Sequence, residues 1–163
     1  MGLAEDVRRA PDSIDTARVV AIAPPFPRGP MAIRVVRLGE PRAPGEGVRL
    51  GTVRRPPRGV PKSEFARRNF YDVWLPELAP SAQTVSWALA EPWTDARWKR
   101  YVRIYRSEMG EPGPRHLLST LAALSAHSDF SVGCYCENAA RCHRSVLAEL
   151  LADAGATLVP NEG

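Results

Sequence analysis

The hydrophobic positions of this chain follow two patterns, and each pattern predicts one kind of secondary structure. Short apolar runs bounded by turn residues predict strands at 32–38, 48–53 and 129–136, with a further short run at 19–23. Apolar positions spaced three and four residues apart predict helices at 81–90, 94–109, 114–126 and 142–153. Helices between strands favour parallel pairing, so we expect an α/β fold with helices packed on a small mixed or parallel sheet.

The helix predicted over 94–109 has the clearest amphipathic pattern. Its apolar residues recur at helical spacing and are Trp98, Tyr101, Val102, Tyr105 and Met109. This spacing places them on one stripe, so we interpret them as core residues. Residues 65–78 contain several aromatic side chains but no clear period, and they predict no regular element.

Proline is concentrated at the start of the chain. Five prolines lie within the first thirty residues, at positions 11, 24, 25, 27 and 30. Because proline breaks long helices and strands, we interpret residues 1–30 as an N-terminal extension. Residues 31–159 then form a single compact α/β domain, and 160–163 are a tail.

Composition and charge indicate which class of ligand the protein binds and in which cellular compartment it is expected. The chain has 22 Lys and Arg against 18 Asp and Glu, a formal net charge of +4, and this mild excess suits a small anionic ligand. No signal-peptide pattern and no apolar run of membrane-spanning length occur, so we expect a cytoplasmic protein with reduced thiols and no membrane partner. No Gly-rich dinucleotide or P-loop motif occurs, so we expect no cofactor. The oligomeric state is not indicated.

The segment with the most reactive side chains joins the last predicted strand to the last predicted helix. It contains the three cysteines of the chain, Cys134, Cys136 and Cys142, followed by His143 and Arg144. Unpaired N–H groups at a helix start favour anions and thiolates. We therefore expect Cys136, Cys142 and His143 to be catalytic, and either Cys136 or Cys142 to be an unusually acidic thiol.

Two other interpretations of this segment remain open. Cys134, Cys136, Cys142 and His143 are four soft or borderline ligands, the number that a structural zinc site needs. Their spacing argues against zinc, because a Cys-x-Cys pair on a strand points its thiols to opposite faces, and we expect no metal. In the third interpretation the small thiols only pack in the core.

Arginines supply the charges that an anionic ligand requires. Arg54, Arg55 and Arg58 follow the second predicted strand. We expect them to bind the anion together with Arg141 and Arg144, because guanidinium groups suit phosphate, sulfate and carboxylate. The resulting hypothesis is a thiol-dependent enzyme for an anionic or nucleotide-like small molecule.

The basic stretch over residues 49–68 also permits a nucleic-acid-binding module without catalysis. Its arginines would contact phosphates, and Phe70, Tyr71 and Trp74 would stack on bases. Pro56, Pro57 and Gly59 interrupt the charges, which favours a shaped loop over a continuous basic stripe. A zinc-stabilised interaction domain is the remaining alternative.

Several segments resemble the uncharacterised YeaO-like family, domain of unknown function 488. They are residues 51–60, 71–81 and 105–109, and the Cys-x-Cys to Cys-His-Arg segment at 134–145 is similar to the family's cysteine-bearing members. The resemblance covers about residues 32–156 and implies a compact α/β domain with no settled activity. Many relatives carry an acidic residue in the segment that matches 51–55, and this chain has none there.

Overall fold

The computed structural model describes residues 31–160. Its strands are β1 (Ile33–Arg37), β2 (Val48–Gly51), β3 (Val73–Trp74) and β4 (Phe130–Cys134). Its helices are α1 (Ala82–Leu89), α2 (Asp95–Met109), α3 (Pro112–Leu124) and α4 (His143–Asp153), with short 3₁₀ turns at Lys62–Glu64, Pro76–Leu78 and Ala139–Arg141. The α/β prediction is confirmed. The predicted extension, its apolar run at 19–23 and the last three residues lie outside the described residues.

The four strands form one sheet in the order β1-β4-β2-β3, and every neighbouring pair is parallel. We expected a sheet that is either mixed or parallel, and the described sheet is parallel. The central strand β4 places Val132 beside Val35 of β1 and Leu50 of β2. In a parallel sheet all carboxyl ends lie at one edge, so the segments that follow β1, β2 and β4 meet there.

The helices cover one face of the sheet and bury the main core. Ile33 and Val132 from the strands pack with Tyr105 of α2 and Leu147 of α4, and all four are 0% exposed. The aromatic stripe of α2 is a core element, as we predicted. Side chains cap the starts of α1 and α2, because Ser81 and Thr94 accept hydrogen bonds from the N–H groups of residues 84 and 97. None of the helices within residues 31–160 is long and apolar enough to cross a membrane.

Several predicted boundaries differ from the structure. The strand predicted to reach residue 136 ends at Cys134, and the one predicted to reach 53 ends at Gly51. Helix α3 begins at Pro112 rather than 114, since proline is well tolerated in a first helical turn. The two residues of β3 were not predicted, because only pairing with β2 makes them a strand.

Candidate functional site

The three cysteines lie together at the carboxyl edge of the sheet. The chain bends at Tyr135, directly after β4, so Cys136 does not continue the alternation of the strand. The Sγ atoms of Cys134 and Cys136 are 3.6 Å apart as a result. The alternation of a strand, which would point the two thiols of a Cys-x-Cys pair to opposite faces, does not hold here because Cys136 is outside β4.

Cys142 and His143 join the same cluster from the start of α4. Cys142 is the N-cap residue and has an extended backbone, with φ −128° and ψ 144°, while His143 is the first helical residue. This change of backbone conformation lets two consecutive side chains point to one place, with Cys142 Sγ 3.9 Å from His143 Nδ1. The Sγ atoms of Cys134 and Cys142 and a ring nitrogen of His143 all lie within 4.8 Å of one another, and all three residues are buried.

The imidazole of His143 is fixed by a residue of the neighbouring strand segment. Its Nε2 lies 2.7 Å from the carbonyl oxygen of Thr52. A carbonyl only accepts, so Nε2 carries the proton and the lone pair of Nδ1 is directed toward Cys142. Burial lowers the pKa of His143 to about 4, so the ring is neutral near pH 7. The Nε2–H of His143 is therefore occupied by Thr52, and its Nδ1 atom is available as a hydrogen-bond acceptor.

The three thiols differ in the direction in which their pKa values are shifted. Hydrogen bonds from Cys134 and then Cys142 lower the pKa of Cys136, and the nearby positive charge of Arg144 acts in the same direction. The hydrogen bond to Cys136 raises the pKa of Cys134 to about 11, and Cys134 and Cys136 together raise that of Cys142. Cys136 is the exposed member of the cluster, and the other two are buried. A negative charge in this cluster therefore resides on the most accessible sulfur.

Arg144 brings a buried positive charge next to the thiols. Its side chain is almost fully buried, with the residue 6% exposed, and it donates to the carbonyls of Cys134 (3.4 Å) and Glu137 (3.3 Å). Within residues 31–160 it forms no ion pair with a carboxylate. A buried cation without a counter-ion is costly, and it favours a negative charge on the sulfurs beside it.

The arginines that we expected around the anion have different environments. Arg54 donates to the carbonyls of Ala79 (3.0 Å) and Pro80 (2.9 Å), so its guanidinium group is engaged at the start of α1. Arg55 and Arg58 are exposed. Their loop lies beside the cysteine segment, since the Tyr135 hydroxyl lies 3.4 Å from the Arg55 carbonyl oxygen.

Arg141 lies on the other side of the cysteine loop. It forms an ion pair with Asp95 at 2.6 Å and lies over the ring of Trp98, 5.7 Å from its centroid.

The profile of DUF488-N3a, described as the active DUF488-N3 subclade, matches residues 33–155.

The chain belongs to the DUF488-N3a family. The resemblance to the YeaO-like family is thereby confirmed, and the match includes every strand and the whole cysteine segment. Searches of curated proteins and of solved structures find no match.

Most arginines of residues 49–68 in this DUF488-N3a protein have intramolecular partners. Arg49 is buried against Glu46, and Arg67 and Arg68 pair with Glu64. Arg49 and Arg54 are thus held within the fold. Arg67 and Arg68 remain exposed despite their pairing, as do Arg55, Arg58 and Lys62, so most charges of the predicted nucleic-acid footprint lie at the surface.

Sequence reasoning missed two features near the site of the DUF488-N3a domain. Tyr71 packs in an apolar cluster with Cys134 and Cys142, and its buried hydroxyl has no hydrogen-bond partner among the described residues. A cleft of about 480 Å³ lies along β1 and is lined partly by Arg34, Arg37 and Arg144. Neither feature has a local sequence signal, because both depend on segments far apart in the chain. No cysteine lines this cleft, and Arg144 connects it to the cysteine segment through its hydrogen bond to the Cys134 carbonyl.

Proposed function

We propose that this DUF488-N3a protein is a thiol-dependent enzyme that acts on a small anionic, nucleotide-like molecule, with Cys136 as its nucleophile. The observation that carries the proposal is the convergence of two buried thiols, a neutral imidazole and a buried guanidinium group around one exposed thiol. Such a setting stabilises a thiolate, and the thiolate is the reactive form of cysteine.

In the proposed step, a lone pair of Cys136 Sγ forms a bond to an electrophilic atom of the substrate. The bond from that atom to its leaving group breaks, and the leaving group departs with the bonding electrons. The product is a covalent adduct on Cys136. Before attack, the thiol of Cys134 donates a hydrogen bond to the thiolate at 3.6 Å, while the thiol of Cys142 lies 3.9 Å from the Nδ1 lone pair of His143.

The charges around the cysteine loop support an anionic class of substrate. Arg144 contributes a fixed buried charge, and Arg141 lies near the surface on one side of the cysteine loop. Arg55 and Arg58 are exposed on the adjoining loop and are free to turn toward a ligand. Guanidinium groups from two loops suit phosphate, sulfate or carboxylate better than a neutral substrate.

Two alkylating reagents of similar size test the proposal, because iodoacetate is an anion and iodoacetamide is neutral. The ratio of their rates at Cys136, measured by mass spectrometry on metal-free protein, is compared with the same ratio for glutathione. We expect iodoacetate to be favoured several-fold at Cys136, with saturation and with protection by phosphate or sulfate. Arg141→Ala should reduce the preference, while Arg103→Ala, an exposed arginine of α2, should not.

Two results would contradict the proposal. One is a rate ratio at Cys136 no higher than that of glutathione, which removes the anion site. The other is equal inertness of all three thiols toward both reagents, which leaves the cluster a packing feature.

A further inference from the structure

We infer that Cys134, Cys136, Cys142 and His143 form a binding site for one zinc-type divalent ion, with His143 Nδ1 as the nitrogen ligand. Sequence spacing alone led us to expect no metal, and the folded geometry supports the opposite conclusion. The inference depends on the positions of the donor atoms and does not require the proposed activity.

The distances between donor atoms fit a tetrahedral ion. With Zn–S near 2.3 Å and Zn–N near 2.0–2.1 Å, ideal angles place two sulfurs about 3.8 Å apart and a sulfur and a nitrogen about 3.5 Å apart. Cys134 Sγ and Cys136 Sγ are 3.6 Å apart, and Cys142 Sγ and His143 Nδ1 are 3.9 Å apart. Cys134, Cys142 and His143 are mutually within 4.8 Å, and Cys136, which lies outside this group, is linked to it through Cys134, so Cys136 has to move inward for the tetrahedron to close.

The histidine is already oriented as a ligand. A metal-bound histidine commonly donates its second N–H to a carbonyl or a carboxylate, which fixes the tautomer and the plane of the ring. His143 Nε2 makes this bond to the Thr52 carbonyl at 2.7 Å. Thr52 is itself held, because both its N–H (3.0 Å) and its hydroxyl (2.9 Å) donate to the Gly133 carbonyl. Nδ1 thus presents its lone pair to the sulfurs from a rigid support.

The charges also balance. Three thiolates, a neutral imidazole and a divalent ion carry a net charge of −1. Arg144, buried and without a carboxylate partner within residues 31–160, supplies the compensating positive charge through its bonds to the Cys134 and Glu137 carbonyls. This role explains why the sequence places an uncompensated guanidinium group next to three thiols.

The metal site is compatible with the proposed function. Cys136 is the only exposed ligand, so it is the sulfur that an incoming molecule can reach. A bound ion would keep this sulfur ionised but would occupy its lone pair, so the metal-bound chain would be a resting form and the metal-free thiolate of Cys136 would be the nucleophile of the proposed step.

The test uses the full chain without an affinity tag, purified under reducing conditions and without chelator. Elemental analysis should find one zinc per chain. Protein stripped of metal and titrated with Co²⁺ should saturate at one equivalent, with thiolate-to-cobalt charge-transfer absorption and the visible bands of tetrahedral cobalt. We expect Cys142→Ser and His143→Gln to weaken cobalt binding by more than about 100-fold, because even loss of an outer ligand partner costs about 10- to 100-fold. His127→Gln, an exposed histidine, is the matched control.

A second measurement on the wild-type chain covers the case in which a buried variant does not fold. One zinc per chain should protect all three thiols from alkylation, and a chelator should release them. Absence of bound zinc together with absence of cobalt charge-transfer absorption in folded, reduced wild-type protein overturns the metal site, and so does protection of no thiol by added zinc. The iodoacetate comparison is made on metal-free protein, so its outcome judges the proposed activity separately.

Discussion

The buried ion pair between Glu46 and Arg49 gives the sharpest stability prediction for this fold. Their side chains are 2% and 1% exposed, and Arg49 Nε and Nη2 donate to the Glu46 carboxylate at 2.6 and 2.9 Å. Glu46 also accepts from the Ser131 hydroxyl at 2.7 Å and from the Ala43 N–H at 2.9 Å. The change that tests this network is Glu46→Gln, which removes the charge and preserves the shape.

The magnitude follows from the ionisation of Glu46. Burial by itself would raise the pKa of Glu46, but the bonds from Arg49, Ser131 and the Ala43 N–H outweigh burial and lower it from 4.5 to about 2. At about 1.4 kcal/mol per pH unit, this difference contributes about 3 kcal/mol to the free energy of unfolding. Because the folded-state pKa is the lower one, the contribution is fully present above pH 4.5 and is lost as the pH falls through about 2.

Urea denaturation of the wild-type chain and of Glu46→Gln at several pH values measures the contribution. We expect the variant to be less stable by about 3–5 kcal/mol at pH 7, since Arg49 loses its counter-ion. The difference should shrink by about 2 kcal/mol, to about 1–3 kcal/mol, at pH 3. Glu40→Gln is the matched control in the same loop, because the Glu40 side chain is 58% exposed. A difference independent of pH, or one no larger than that of the control, would refute this reasoning.

Two further substitutions test packing beside the cysteine cluster. Tyr71→Phe removes a buried hydroxyl that has no partner among the described residues, so we expect an unchanged free energy of unfolding or a gain of up to about 1 kcal/mol in chemical denaturation. A loss above about 1 kcal/mol would show that the hydroxyl is bound in the native protein. Gly51→Ala would place a Cβ 2.3 Å from Tyr71 Cδ1, so we expect a loss of at least about 1–3 kcal/mol. Gly113→Ala, where nothing lies within 4 Å, should cost nothing in the same assay, and equal losses would contradict the steric explanation.

The helices and the position of the reactive segment could be predicted from the sequence, because both depend on neighbours a few residues apart. The stripe from Trp98 to Met109 has helical spacing, and Ser81 and Thr94 cap helices through N–H groups three residues ahead. The turn between β4 and α4 was predicted from an apolar strand, a cluster of polar side chains and an apolar helix in succession.

The chemistry of the site was decided by tertiary contacts. Cys136 joins Cys134 because the strand ends at Cys134, two residues earlier than predicted, and His143 receives its tautomer from Thr52, 91 residues away along the chain. Arg54 turns to the carbonyls before α1, while Arg144 becomes buried beside the thiols. The strength of these contacts depends on burial and on partners brought together only by the sheet. The local sequence indicates neither how deeply a side chain is buried nor which distant residue it contacts. The four candidate ligands could therefore be identified from the sequence, but their convergence could not.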